Sequence, residues 1–138
     1  MRNATLCTFL IAALLTACNG SPTAPAETIQ GTEAMLATGR WSGGSNCLSV
    51  DASGCELVVG CMYGRFSRPV VHADGTFVVD GTYRFEGGPS SDATPPAARF
   101  TGTVSGESLT LIIQQGSAAP VTLSFAQGGA GNCPRLCV

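Results

Sequence analysis

Apolar and polar positions alternate with a period of two through most of residues 39–138, and no stretch there has helical periodicity. The clearest run is Arg99-Phe100-Thr101-Gly102-Thr103-Val104, then Ser105-Gly106-Glu107-Ser108, then Leu109-Thr110-Leu111-Ile112-Ile113. A two-residue turn at Gly106-Glu107 sets Val104 opposite Leu109, Gly102 opposite Leu111 and Phe100 opposite Ile113, so all six share one face. After a looser connection over residues 116–120, Val121, Leu123 and Phe125 return on the same parity, opposite Ile113, Leu111 and Leu109. Thr101, Thr103 and Thr110 fall on the other side. One face is buried and the other wetted, as antiparallel sheets are.

Upstream, Ala73-Asp74-Gly75 marks a tight turn, with Gly75 suited to its left-handed position and Val71 facing Phe77. Phe77, Val79, Gly81, Tyr83 and Phe85 then share one side, and Val78, Asp80, Thr82, Arg84 and Glu86 the other. Leu48–Val50 and Glu56–Cys61, joined by Asp51-Ala52-Ser53-Gly54, make a further hairpin. Seven or eight short strands with tight turns predict an all-β domain, a small antiparallel up-and-down barrel or a strongly curled sheet. Closure removes the edges on which other chains would pair. Residues 87–96 form the one long loop, polar and Pro-rich.

Before this domain the composition changes twice. Met1-Arg2-Asn3 carries one positive charge, and Ala4 to Ala17 is then almost wholly apolar. That run is shorter than the roughly 20 residues needed to span a bilayer. A charged start, a short apolar core and a small residue at the end read as a secretory signal over residues 1–17. Residues 18–38 are rich in Ser, Pro, Thr, Ala and Gly, and read as a tether before a domain at 39–138.

Leu15-Thr16-Ala17-Cys18 resembles the lipobox of bacterial lipoproteins, in which the chain is cut before the cysteine and lipid is attached to its sulfur. The resemblance implies a diacylglyceryl group on Cys18, an anchor in the membrane and a place in the cell envelope. Each buried CH₂ contributes about 0.8 kcal/mol, so two or three acyl chains hold where one does not. Asn19, where the lipoprotein rule puts Asp for inner-membrane retention, implies the outer membrane in a cell that has two.

Gly39-Arg40-Trp41 resembles the G-x-W that opens lipocalin-like barrels, which implies a Trp plugging one end. Gly60-Cys61-Met62-Tyr63-Gly64-Arg65-Phe66, Asp74-Gly75-Thr76-Phe77, Gly81-Thr82-Tyr83 and Phe100-Thr101-Gly102 together resemble a loose group of small exported bacterial β-proteins. That likeness implies fold and compartment and no particular activity.

Besides Cys7 and Cys18 there are five cysteines: Cys47, Cys55, Cys61, Cys133 and Cys137. In an exported chain, bridges are the expectation. Zinc is the rival, but the spacing from Cys55 to Cys61 is wider than a C-x₂₋₄-C knuckle. The odd count leaves one thiol over. Connectivity is open, and the pairing expected first joins Cys61 to Cys133.

Charge and chemistry add little. All seven basic residues are Arg and lie scattered against nine acids, so no basic stripe points to nucleic acid. The only histidine, His72, ends a strand and faces outward opposite Thr76. Asp80 and Glu86 lie on one strand about 20 Å apart, too far to act together. Asp51 and Asp74 occupy turns, where Asp bonds its own backbone. No nucleophile elbow, phosphate loop or calcium loop is present, so no catalytic residue, cofactor or metal is expected. Tyr63, Arg65, Phe66 and Arg68 make a candidate protein interface by residue type. Tyr83 and Phe85 are candidates to line a lumen, although a barrel this small is usually filled by its own side chains. The expectation is a lipid-anchored envelope protein with a non-enzymatic binding or structural domain. The alternatives are an inhibitor of an envelope-directed protease or lysozyme, working through residues 87–96, and a carrier of a small apolar ligand.

Overall fold

The computed structural model describes residues 32–88, 93–128, 132–135 and 137. Its strands are β1 (Ala34–Met35), β2 (Gly39–Gly43), β3 (Asn46–Val50), β4 (Cys55–Val59), β5 (Met62–Phe66), β6 (Val70–Val71), β7 (Thr76–Phe85), β8 (Ala97–Ser105), β9 (Ser108–Gln114) and β10 (Val121–Gln127). Eight of them close into an antiparallel barrel in the order β10-β2-β3-β4-β5-β7-β8-β9, and β1 pairs with β6 as a separate ribbon. The domain is therefore all-β, and the sheet closes. Among the described residues there is no helix.

The alternation read from the chain sets the register. Val104 pairs with Leu109, Gly102 with Leu111 and Phe100 with Ile113. Val121, Leu123 and Phe125 pair with Ile113, Leu111 and Leu109. Apart from Val121, which is 40% exposed, these side chains meet Leu48, Leu57, Phe66 and Phe77 in one core, and Phe66 stacks on Phe100 with ring centroids 4.3 Å apart. The interior is packed with side chains, as eight strands allow. Gly102 contributes by having no side chain, since a Cβ there would overlap the Phe77 ring directly across the β7–β8 pair. Gly75 holds φ at +83° in the turn before β7, where its N–H donates to the His72 carbonyl at 2.9 Å.

Two expectations change here. Val70–Val71 does not run beside Phe77 as a barrel strand: Val71 pairs with Ala34 and Val70 with Met35. β5 pairs with β7 only over Gly81–Phe85, and the His72 N–H donates to the Thr76 carbonyl at 2.9 Å, so the turn closes locally while Val70–Val71 forms its ladder with β1. The packed body also begins upstream of Gly39. Leu36, inside the stretch read as tether, is 1% exposed and joins the core. Its N–H donates to the Pro69 carbonyl at 2.9 Å, and Arg68 Nε donates to its carbonyl at 2.7 Å. Trp41, 1% exposed, donates from Nε1 to the Ala37 carbonyl at 3.2 Å. Residues 34–41 thus cover one end of the barrel, the end that holds the turns at 51–54, 72–75 and 105–108.

Candidate functional site

Cys18, the expected lipid attachment point, lies outside the described residues, as do Asn19 and the whole signal-like segment. The other cysteines sort by strand parity. Cys55 shares the inward face of β4 with Leu57 and is buried and unbridged. Cys47 lies on the outward face of β3, between inward Leu48 and the turn, and bridges to Cys133. Cys61, in the β4–β5 turn, bridges to Cys137. The expected Cys61–Cys133 pair is therefore corrected: Cys133 meets the outward thiol of β3 first, and the turn thiol is left for Cys137. Burial pushes the Cys55 thiol up to about 12, against the pull of nearby Arg68. Below that pH the folded protein holds it as an inert thiol. Iodoacetamide at pH 8 is expected to alkylate Cys55 only after unfolding in urea, read by peptide mass spectrometry. Modification of the folded chain at an equal rate would show the core to be open there.

The two bridges hold the chain's C-terminal segment against the outside of β3, β4 and β5. Cys47, Val58, Tyr63 and Arg84 form one outward row through successive pairings. The segment shields the first three, which are 4–6% exposed although they point away from the core. Arg135 donates to Tyr63 Oη at 2.9 Å with its guanidinium 4.6 Å from the ring centroid. Arg65 lies 5.3 Å from the same ring and pairs with Glu56 at 2.8 Å. Arg84 pairs with Glu86 at 2.6 Å, and Arg135 approaches Glu86 at 3.8 Å.

Tyr63, Arg65, Phe66 and Arg68 therefore do not form one surface. Phe66 points into the core, Tyr63 lies under Arg135, Arg68 clamps Leu36, and of the four only Arg65 is exposed. His72 faces outward, with Nδ1 3.0 Å from Glu33 Oε1. Asp80 is bonded to Arg99 at 2.9 and 3.3 Å, which holds its carboxyl below the usual range. Asp51 and Asp74 accept from the backbone N–H groups of Ser53 and Thr76, and these turn bonds, with those from the hydroxyls of the same residues, lower both carboxyls. No group of three or more His, Cys, Asp and Glu side chains is placed to hold a metal ion among the described residues.

The end of the barrel opposite Trp41 is different. A pocket of about 690 Å³ opens there, lined by Met62 at the start of β5, Tyr83 to Gly88 at the end of β7, Ala93 to Pro96 before β8, Gln115 after β9, and Cys137. Phe85, read as a lumen residue, is 63% exposed at this mouth, where β7 runs beyond its pairing with β8, which ends at Thr82. Tyr83 faces inward and is 6% exposed. Gln115 Nε2 donates to the Tyr83 carbonyl at 2.6 Å and fixes the strand end across 32 residues of chain. Parity marked Tyr83 and Phe85 in the sequence. Gln115, Pro95 and Pro96 carried no signal, since strand alternation fixes the β7–β8–β9 pairing and not how the loops after β7 and β9 lie at the end of the sheet. No protein family, curated protein or solved structure matches the chain.

Proposed function

We propose that this protein is a lipid-anchored component of the cell envelope, held in the membrane through Cys18, whose barrel works by binding and not by catalysis. The observation that carries the reading is the division of labour between the barrel's two ends. The chain enters at the end covered by Leu36 and Trp41, so a membrane anchor upstream of it attaches on that side. The pocket opens at the other end, away from the anchor. Two bridges tie the C-terminal segment to the barrel, which fits a chain that matures in an oxidising compartment. Asn19 favours the outer membrane if the cell has one. A protein of the envelope is the partner class that such a placement offers.

The test is incorporation of radiolabelled palmitate. The full chain is expected to take up label in a bacterial host and to lose it in Cys18→Ser. Mass spectrometry is expected to find a mature chain beginning at Cys18. Label that survives Cys18→Ser, or an intact initiator methionine on the membrane-associated product, would refute the anchor.

A further inference from the structure

The pocket at the open end has the chemistry of a small-molecule site. Its size lies within the range of about 300–1,000 Å³ typical of such sites. Met62, Phe85, Pro95 and Pro96 supply flat or flexible apolar surface. Arg84 and Glu86 are paired with each other at 2.6 Å, so the charges on the rim are matched and do not call for an ion. Tyr83 is more than nine-tenths buried, and its hydroxyl has no hydrogen-bond partner among the described residues. That oxygen is nevertheless not sealed from solvent, and the mouth is where an inward Tyr83 meets it. At the mouth a water or a ligand oxygen can take that bond. Burial raises the phenol's pKa, so it stays a neutral donor. The bond from Gln115 Nε2 goes to the Tyr83 carbonyl and keeps the wall in place.

We propose that this mouth binds an uncharged, ring-bearing small molecule, with its ring against Phe85 and Met62 and a carbonyl or ether oxygen accepting from the Tyr83 hydroxyl. The site lies outside the barrel interior, which is filled by Phe77, Phe100, Leu57 and Leu111. It rests on the reading that the barrel works by binding, and it adds a small-molecule ligand to the protein partner proposed there.

Two methionines in the described residues make an internal control. Met62 lines the pocket, while Met35 lies on β1 at the covered end. With methyl-¹³C methionine in the full chain, 1-tetralone is expected to shift the Met62 methyl in a saturable titration and to leave Met35 unmoved. Tetralin, the same rings without the carbonyl oxygen, serves as the matched probe. Tyr83→Phe is expected to weaken 1-tetralone by about three- to tenfold, the size of one neutral hydrogen bond, and to leave tetralin unchanged. Phe85→Asp, at an exposed position, is expected to abolish both titrations while Met35 keeps its wild-type resonance. Shifts that never saturate, or that move Met35 and Met62 together, would overturn the proposal. So would an equal effect of Tyr83→Phe on both probes. The palmitate result is independent of these titrations: its failure would remove the anchor and leave the ligand site standing, and the reverse also holds.

Discussion

Removing both disulfides is expected to destabilise the barrel by more than twice as much as removing either one. Cys47–Cys133 spans 86 residues and Cys61–Cys137 spans 76, so each alone closes a long loop. In the chain-entropy account such a loop contributes about 4.5 kcal/mol. The two loops interleave, however. Cys47 and Cys61 stand 14 residues apart, and Cys133 and Cys137 stand 4 apart, so beside one bridge the other closes a circuit of only about 18 residues. That second closure contributes about 3 kcal/mol. Cys47→Ala with Cys133→Ala is therefore expected to cost about 3 kcal/mol, and so is Cys61→Ala with Cys137→Ala, because the surviving bridge still closes the long loop. The fourfold alanine variant is expected to lose about 7 to 8 kcal/mol, which rivals the whole stability of a domain this size. Urea midpoints under non-reducing conditions decide it. A fourfold loss equal to the sum of the two pairs would mean that the bridges act locally, by packing the C-terminal segment, and not by constraining the unfolded chain.

The contrast between what the sequence shows and what it hides follows the range of the interaction. The β8–β9–β10 meander is legible residue by residue because each pairing is set by a short turn and by side chains at even spacing. Gly106-Glu107 determines which residue meets Leu109, and nothing distant competes. Val70–Val71 has the same local signal, but its ladder forms with Ala34–Met35, a distant pair with no strand pattern of its own. Parity also holds information that composition does not. Tyr63 and Arg65 are odd on β5 while Phe66 is even, so they never belonged to one surface. Cys55, in phase with Leu57, faces inward where no segment outside the barrel can reach it, so it is the thiol left over. Which outward cysteine meets which tail cysteine is not legible. That depends on the path of residues after β10 across three strands far away in sequence.

The mouth pocket was the least visible feature, for the same reason. Its walls come from the ends of β5, β7 and β9 and the stretch before β8, and alternation within the strands says nothing of how the segments beyond their ends lie. The covered end was half visible: Trp41 announced a plug, but Leu36 sits in a polar, Pro-rich stretch that has no periodicity of its own. Leu36, the two bonds to its backbone and the short β1–β6 ladder dock the segment, and one apolar residue makes no pattern.

That docked segment makes Trp41→Ala the most costly single substitution expected. Truncating a buried Trp costs about 3–5 kcal/mol through lost burial and the cavity left behind. Here the change also removes the donor that holds the Ala37 carbonyl, and with it one of the contacts that keep Leu36 over the barrel end. Trp41→Phe separates the two effects. It keeps much of the ring volume and loses the indole N–H, so a global loss of about 1–2 kcal/mol is expected, with a larger local one at residues 34–38. Hydrogen exchange at the Leu36 amide, bonded to the Pro69 carbonyl, reads the local term. Urea unfolding reads the global one, followed by the chain's single Trp in the wild type and by far-UV circular dichroism in both variants. If the Leu36 amide of Trp41→Phe exchanges no faster than global unfolding allows, then Leu36 is held by Arg68, Pro69 and the β1–β6 ladder, and the indole bond contributes nothing to closing that end.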